Sequence, residues 1–202
     1  MKMFRPTQDG GVSGWLSADE VQLLRTLIGP MLELLTGDRG SRASSAPPSS
    51  PVATLPTRED EVFDELERMF SEGEGEETPE LPEDPVLARL LPDAYADDPK
   101  AAGEFRKYTE SSLREAKKYF VQTMLDTLPE GGGDFELTGD QARDWMRALN
   151  DVRLMFGVRL NVTEDFEEQL ASLDPQDPVI PAFEVYGWLG GVQESLVQAL
   201  FR

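Results

Sequence analysis

An all-α fold is what this sequence predicts: a compact bundle of about five to seven helices, with a small β-hairpin signalled at the N-terminus. Three observations carry that reading. Apolar residues recur at three- and four-residue spacing through most of the chain. Helix-start signals, either Ser/Thr capping boxes or Asp-Pro pairs, stand immediately before these stretches. Extended runs are confined to the first sixteen residues and to Phe135–Leu137.

Taken in order, FRPTQDGGVSGWL places Asp9-Gly10 between two short extended pieces, a hairpin signal that needs a helical layer behind it to survive. Ser17 and Glu20 form a capping box, and Val21, Leu24, Leu27, Ile28, Met31, Leu32 and Leu35 make a wide apolar stripe. Gly29-Pro30 predicts a kink inside this helix, because proline lacks the amide and clashes with the preceding turn. Residues 37–57 are dense in Gly, Ser, Ala and Pro and read as a flexible loop within a single domain spanning 1–202. A short acidic helix is expected over 59–70, followed by an acidic flexible segment at 71–83.

Asp84-Pro85 and Asp98-Pro99 each start a helix, the first ended by Pro92. From Pro99 the periodicity runs to Leu128, either continuously or with a bend near Thr109. Phe105, Tyr108, Ser112, Ala116, Tyr119 or Phe120, and Met124 mark its expected inner face. Thr138 and Gln141 form another capping box, ahead of the stripe Trp145, Leu149, Val152, Phe156 and Leu160. Residues 163–171 suggest an acidic helical turn. A last helix is expected over 182–201, with Val185, Leu189, Val192, Leu196 and Leu200 as its seam.

The chain contains no cysteine and no histidine, which removes disulfides, Cys/His zinc sites, thiol nucleophiles and imidazole bases together. No motif with catalytic mechanics is found. No apolar run is long enough to span a membrane, and a cytoplasmic protein without membrane contact is expected. The net charge is −20, concentrated in 59–84 and 129–202, whereas residues 85–128 are neutral. Such a field repels phosphate backbones, so no nucleic-acid partner is expected, and a basic protein surface suits the chain better.

Two constellations hold the candidate chemistry. Asp93, Asp97 and Asp98 cluster between helices, where they form either a hard-cation site or ordinary caps and solvated charges, the commoner explanation. Polar residues set among the apolar stripes form the second: Arg106 and Arg114, then Asn150, Asp151, Arg153 and Arg159, then Gln193 and Glu194. They make either a binding network or interhelical pairs that fix packing. Arg147 lies four residues before Asp151 on one helical face. Arg106, Lys107, Arg114, Lys117 and Lys118 would form a local basic face, able to meet the acidic 59–84 segment of this chain or of a second copy.

The blocks DPVLARLLPDAY, EFRKYTESSLREAK, WMRALNDVRLMFGVRL and YGWLGGVQESLVQAL, in that order, resemble a domain-of-unknown-function family of actinobacterial proteins. Its genes often lie beside that of the ClpS-type protease adaptor. The resemblance implies small, helical, cytoplasmic proteins, and no catalytic residue is carried over by it. The positions matching its recurrent polar residues are Asp93, Tyr95, Glu104, Arg106 and Arg114 in the first two blocks. In the last two they are Asn150, Asp151, Arg153, Arg159, Gln193 and Glu194.

The expectation is therefore a non-enzymatic protein of adaptor or regulatory type, acting through contacts with another protein, with no cofactor and with a homodimer left open. The alternative is a small-molecule or divalent-metal-binding protein, extending to a carboxylate-based hydrolase that uses Asp93, Asp97, Glu104 and Arg106.

Overall fold

The computed structural model describes residues 4–37, 81–95, 97–174 and 176–201. The expectations at 38–57, 59–70 and 71–80 lie outside these residues. Strand β1 (Phe4–Pro6) and β2 (Val12–Leu16) form the expected antiparallel hairpin. Six helices follow among the described residues: α1 (Ala18–Thr36), α2 (Pro85–Leu90), α3 (Pro99–Thr127), α4 (Gly139–Arg159), α5 (Phe166–Ala171) and α6 (Ile180–Leu200). The bundle with an N-terminal hairpin is borne out.

The sheet goes further than the sequence indicated. Strand β3 (Gly133–Leu137), between α3 and α4, pairs antiparallel with β2 and gives a three-stranded sheet of order β1-β2-β3. Gly14 sits at its centre, opposite Phe4 on one side and Phe135 on the other. A side chain there would stand 2.8 Å from the Phe135 ring, so the glycine makes room for both aromatics. Phe135 stacks on Trp145 at 5.3 Å between centroids, and Phe4 meets Trp145 edge-on at 6.1 Å. Fully buried Trp145 donates its indole N–H to the Thr127 hydroxyl at 2.7 Å, so no polar atom of the ring is stranded.

Local chemistry explains where the helices start. Both capping boxes close: Ser17 with Glu20, and Thr138 with Gln141. Glu20 has a second task, accepting the Trp188 indole N–H at 3.3 Å and so fastening α6 to the start of α1. Asp84 caps α2 and Asp98 caps α3. At the sheet's outer edge, the Phe4 amide donates to the Ser195 hydroxyl of α6 at 3.0 Å.

Helix α1 runs as one element with Pro30 inside it, and α3 is one 29-residue helix, the continuous form of the two that its sequence allowed. The centre of the fold is α4, which packs against α1, α2, α3, α6 and β3; Trp145, Ala148, Leu149 and Val152 are completely inaccessible. Most importantly, the first half of α3 is rotated relative to its apolar pattern. Phe105, Tyr108 and Tyr119 face solvent at 46%, 70% and 62% exposure, while Arg106 and Glu110 point inward.

The α3–β3 connection yields a sharp test. Gly131 and Gly132 both have positive φ, +73° and +86°. A Cβ at 131 would meet open space, whereas one at 132 would lie 2.5 Å from the Ala18 amide nitrogen. Gly131→Ala is expected to cost about 1 kcal/mol, the strain of left-handed backbone alone. Gly132→Ala is expected to cost at least ~3 kcal/mol, because the first turn of α1 must also move. Urea midpoints of the two variants check this, and equal losses would contradict the geometry.

Candidate functional site

The polar residues singled out in the sequence do not converge on one centre. The first group is the inward face of α3. Arg106, Glu110 and Arg114 are spaced four apart and so stack on one side of the helix. Arg106 Nη2 meets Asp93 at 2.5 Å, while its Nη1 donates to Glu110 at 3.3 Å and to the Leu91 carbonyl at 3.2 Å. Glu110 accepts from Arg114 at 2.9 Å. Arg114 then reaches the Leu34 and Leu35 carbonyls at 3.3 and 3.4 Å. The last turn of α1 has no basic residue of its own, and the guanidinium of α3 supplies the cation that its exposed carbonyls favour. Arg106 and Glu110 are almost fully buried, and Arg106 Nε has no acceptor among the described residues.

Lys117, three residues beyond Arg114, forms a bridge to Asp151 of α4 at 2.7 Å. Asp151 therefore pairs with Lys117 rather than with Arg147, which joins Asp144 at 3.0 Å and lies over the Phe120 ring at 4.8 Å. Burial pushes the Asp151 carboxyl above its ordinary value; hydrogen bonding and attraction to Lys117, and a hydrogen bond from Asn150, only partly offset that.

These pairs remove the basic face expected on α3. Arg106, Arg114 and Lys117 are spent inside, Lys118 pairs with Glu115 at 2.7 Å, and Lys107 has an interaction of its own. What α3 shows to solvent is instead aromatic. Phe105, Tyr108 and Tyr119, with Ser112 and Ala116 between them, follow helical spacing on one side. Tyr95 stands edge-on to Phe105 at 6.0 Å, and exposed Leu113 flanks the row. Beneath these lies a groove of about 410 Å³ bounded by Pro92, Ala102, Phe105, Leu113 and Ala116, with Arg106 and Glu110 at its floor.

The second group sits between α4 and α6. Arg153 Nη1 donates to the Gln193 amide oxygen at 2.6 Å, and its guanidinium lies 5.3 Å from the centroid of the Tyr186 ring. Glu104, Asn150, Arg159 and Glu194 are exposed, Asn150 bordering the same cavity as Arg153 and Glu194 accepting from Gln198 at 2.6 Å. The acidic triplet is divided as well: Asp93 binds Arg106, Asp98 caps α3, and Asp97 is exposed. Among the described residues no group of three carboxylates converges to hold a metal ion, and of the residues of the hydrolase alternative Asp93 and Arg106 meet while Asp97 and Glu104 are exposed.

Sequence reasoning missed Glu110 as a partner of Arg106 and Lys117 as the partner of Asp151, although the Arg106-Glu110-Arg114 alternation signals a single face. It also placed Tyr108 inside, and of the alternatives Tyr119 and Phe120 it is Phe120 that packs against the core.

The Lys117–Asp151 bridge predicts a pH effect of definite sign. A carboxyl raised in the folded state favours folding below its ordinary value of 3.8 and loses that contribution as pH rises through the folded value. Stability of the parent chain is thus expected to decline relative to Asp151→Asn from about pH 4 upward. Urea denaturation of both across that range is the check, and parallel profiles would refute it.

Comparison with known proteins bears on these groups. The chain matches the family described as Domain of unknown function (DUF2017) over residues 1–200. It is 37% identical over 194 residues to the putative oxidative stress regulator AosR of Mycobacterium leprae, covering 90% of this chain and 78% of that protein. It is 35% identical over 198 residues to the oxidative stress regulator AosR of Mycobacterium tuberculosis, covering 92% and 80%. No solved structure matches. The relatives carry the name of a regulator rather than of an enzyme, in line with the non-enzymatic expectation. Nothing in them bears on a ClpS-type neighbour.

One partner expectation is corrected by this kinship. The exclusion of nucleic acid rested on net charge alone, and relatives named as regulators remove the ground for it. A global charge of −20 describes the far field, not the potential at one face. Among the described residues no helix is long and apolar enough to cross a membrane. With both the family match and the relatives spanning nearly its whole length, this chain belongs to the DUF2017 family.

Proposed function

We propose that this chain is a non-enzymatic, cytoplasmic regulatory protein that engages a partner protein through the exposed aromatic row of α3. The observation that carries the reading is the inversion of that helix, in which charges are buried and Phe105, Tyr108 and Tyr119 are left in solvent. Burying arginine and glutamate is expensive unless they are closely paired, and folding alone would favour the opposite orientation. Large aromatics beside a shallow apolar groove are the usual anchors of a protein interface. The regulatory class follows the relatives' name, and the setting would be the response to oxidants. Because Arg106, Arg114, Lys117 and Lys118 of α3 are paired, contact with DNA would fall to other residues.

An oxidant input would have to reach this chain from outside. It has no cysteine, so reversible thiol oxidation is closed to it. Met31, Met124 and Met155 are buried and Met146 is half-buried, which shields the described thioethers. On this reading the oxidisable group belongs to the partner.

Two experiments test the proposal. Tyr108→Ser and Tyr119→Ser are expected to leave folding stability within about 0.5 kcal/mol of the parent, as exposed positions do. The immobilised double variant should nevertheless lose a stoichiometric protein that the parent retains from native extract. If both capture the same proteins, the α3 surface is not the interface. If the parent is a dimer that the substitutions dissociate, the occupant is a second copy instead. Separately, treating the immobilised chain alone with peroxide is expected to leave its captured partner unchanged; loss of capture would place the sensor in this chain.

A further inference from the structure

We infer that the chain holds a small-oxyanion site, for a phosphate- or carboxylate-bearing molecule, between Arg89 of α2 and Arg153 of α4. This site is distinct from the α3 row and independent of the proposal made for it. A cavity of about 540 Å³ opens where the end of α2, the C-terminal half of α4, the 161–164 turn and Tyr186 of α6 meet. That volume falls in the range of small-molecule sites. Arg89, Arg153, Asn150, Thr163 and Tyr186 all line it.

What sets the cavity apart is the state of its two cations. Two guanidiniums without a carboxylate partner line this one cavity, in a chain with 39 acidic residues against 19 basic ones. Arg106, Arg114, Arg143 and Arg147 have such partners, whereas Arg5, Arg25 and Arg159, like the two cavity arginines, form no ion pair among the described residues. Among the described residues Arg89 forms no ion pair or hydrogen bond. Arg153 has only the neutral amide of Gln193 and the face of Tyr186. Its Nε–H is buried with no acceptor among the described residues, which ordinarily costs as much as a lost hydrogen bond. Glu164 also borders the cavity, yet forms no ion pair with either arginine.

Held by its stack on Tyr186 and its bond to Gln193, Arg153 is already oriented, so little side-chain freedom is lost on binding an anion. An oxyanion placed between the two guanidiniums would receive charge-assisted hydrogen bonds from both. Asn150 would supply a neutral donor, and Glu164 would disfavour highly charged polyanions at the rim.

The test is calorimetric titration of the full chain with inorganic phosphate and, separately, succinate, each against sodium chloride at matched ionic strength. Saturable binding of at least one is expected, weakened about tenfold or more in Arg89→Gln and in Arg153→Lys. Circular dichroism and thermal melting without ligand establish that both variants are folded; should Arg153→Lys fail to fold, Arg89→Gln alone decides. Absence of saturable binding to either probe overturns the inference. Binding that Arg89→Gln leaves intact overturns it equally, because the anion would then sit elsewhere.

Discussion

The inward-facing charges of α3 are the constraint on which the rest of the arrangement depends. Arg106 and Glu110 can be buried only because Asp93 is fixed after α2, the Leu91 carbonyl is turned toward them, and Arg114 continues the chain of contacts to the end of α1. The contacts run from the end of α2 through α3 and, by way of Arg114, to the end of α1, so these three helices are set in one register by charge rather than by shape alone. Removing one member would leave its neighbour buried and unpaired, a loss of ~3–5 kcal/mol where such pairs are broken, whereas well-packed apolar replacements are often neutral. A polar core segment of this kind contributes specificity of orientation more than stability. That orientation is what turns the aromatic residues outward.

The opposite end of the molecule follows the ordinary rules. Around Trp145 the aromatic stack, the glycine at 14 and the tryptophan–threonine hydrogen bond form a closed apolar core with its polar atoms satisfied. The capping boxes and the Phe4–Ser195 and Trp188–Glu20 bonds fasten the sheet and α6 around it. One end of the bundle is therefore fixed by packing, and the other by paired charges with an apolar groove exposed beside them.

This division explains what was legible in the sequence. Capping boxes, Asp-Pro starts and apolar stripes depend on local spacing, and they placed α1, α4 and α6 within a few residues of their true ends. Strand β3 was only partly visible because its pairing with β2 crosses more than a hundred residues, and Gly133-Asp134 has no strand signal of its own. The inner face of α3 was misassigned because periodicity weighs hydrophobicity, while the actual orientation is decided by ion pairs to α2 and α1 that no window on α3 contains. The spacing of Glu110 and Arg114 makes an i,i+4 pair, but spacing alone does not distinguish an exposed pair from one shut inside. The exposure of Tyr108 and Tyr119 was invisible for the same reason.

The arginines show how far residue type can be carried toward function. Arg106 and Arg153 are alike in sequence terms, each a cation on an amphipathic helix. In the fold they diverge. Arg106 is committed to two carboxylates and a carbonyl, so any change there acts first on packing. Arg153 is held in place by a neutral amide and an aromatic face, with a buried N–H still lacking an acceptor and a second unpaired arginine lining the same cavity. A cation whose charge is already neutralised serves the structure. One that is oriented but not neutralised retains the capacity to bind, and Arg153 keeps it although Glu164 borders the same cavity without pairing with it.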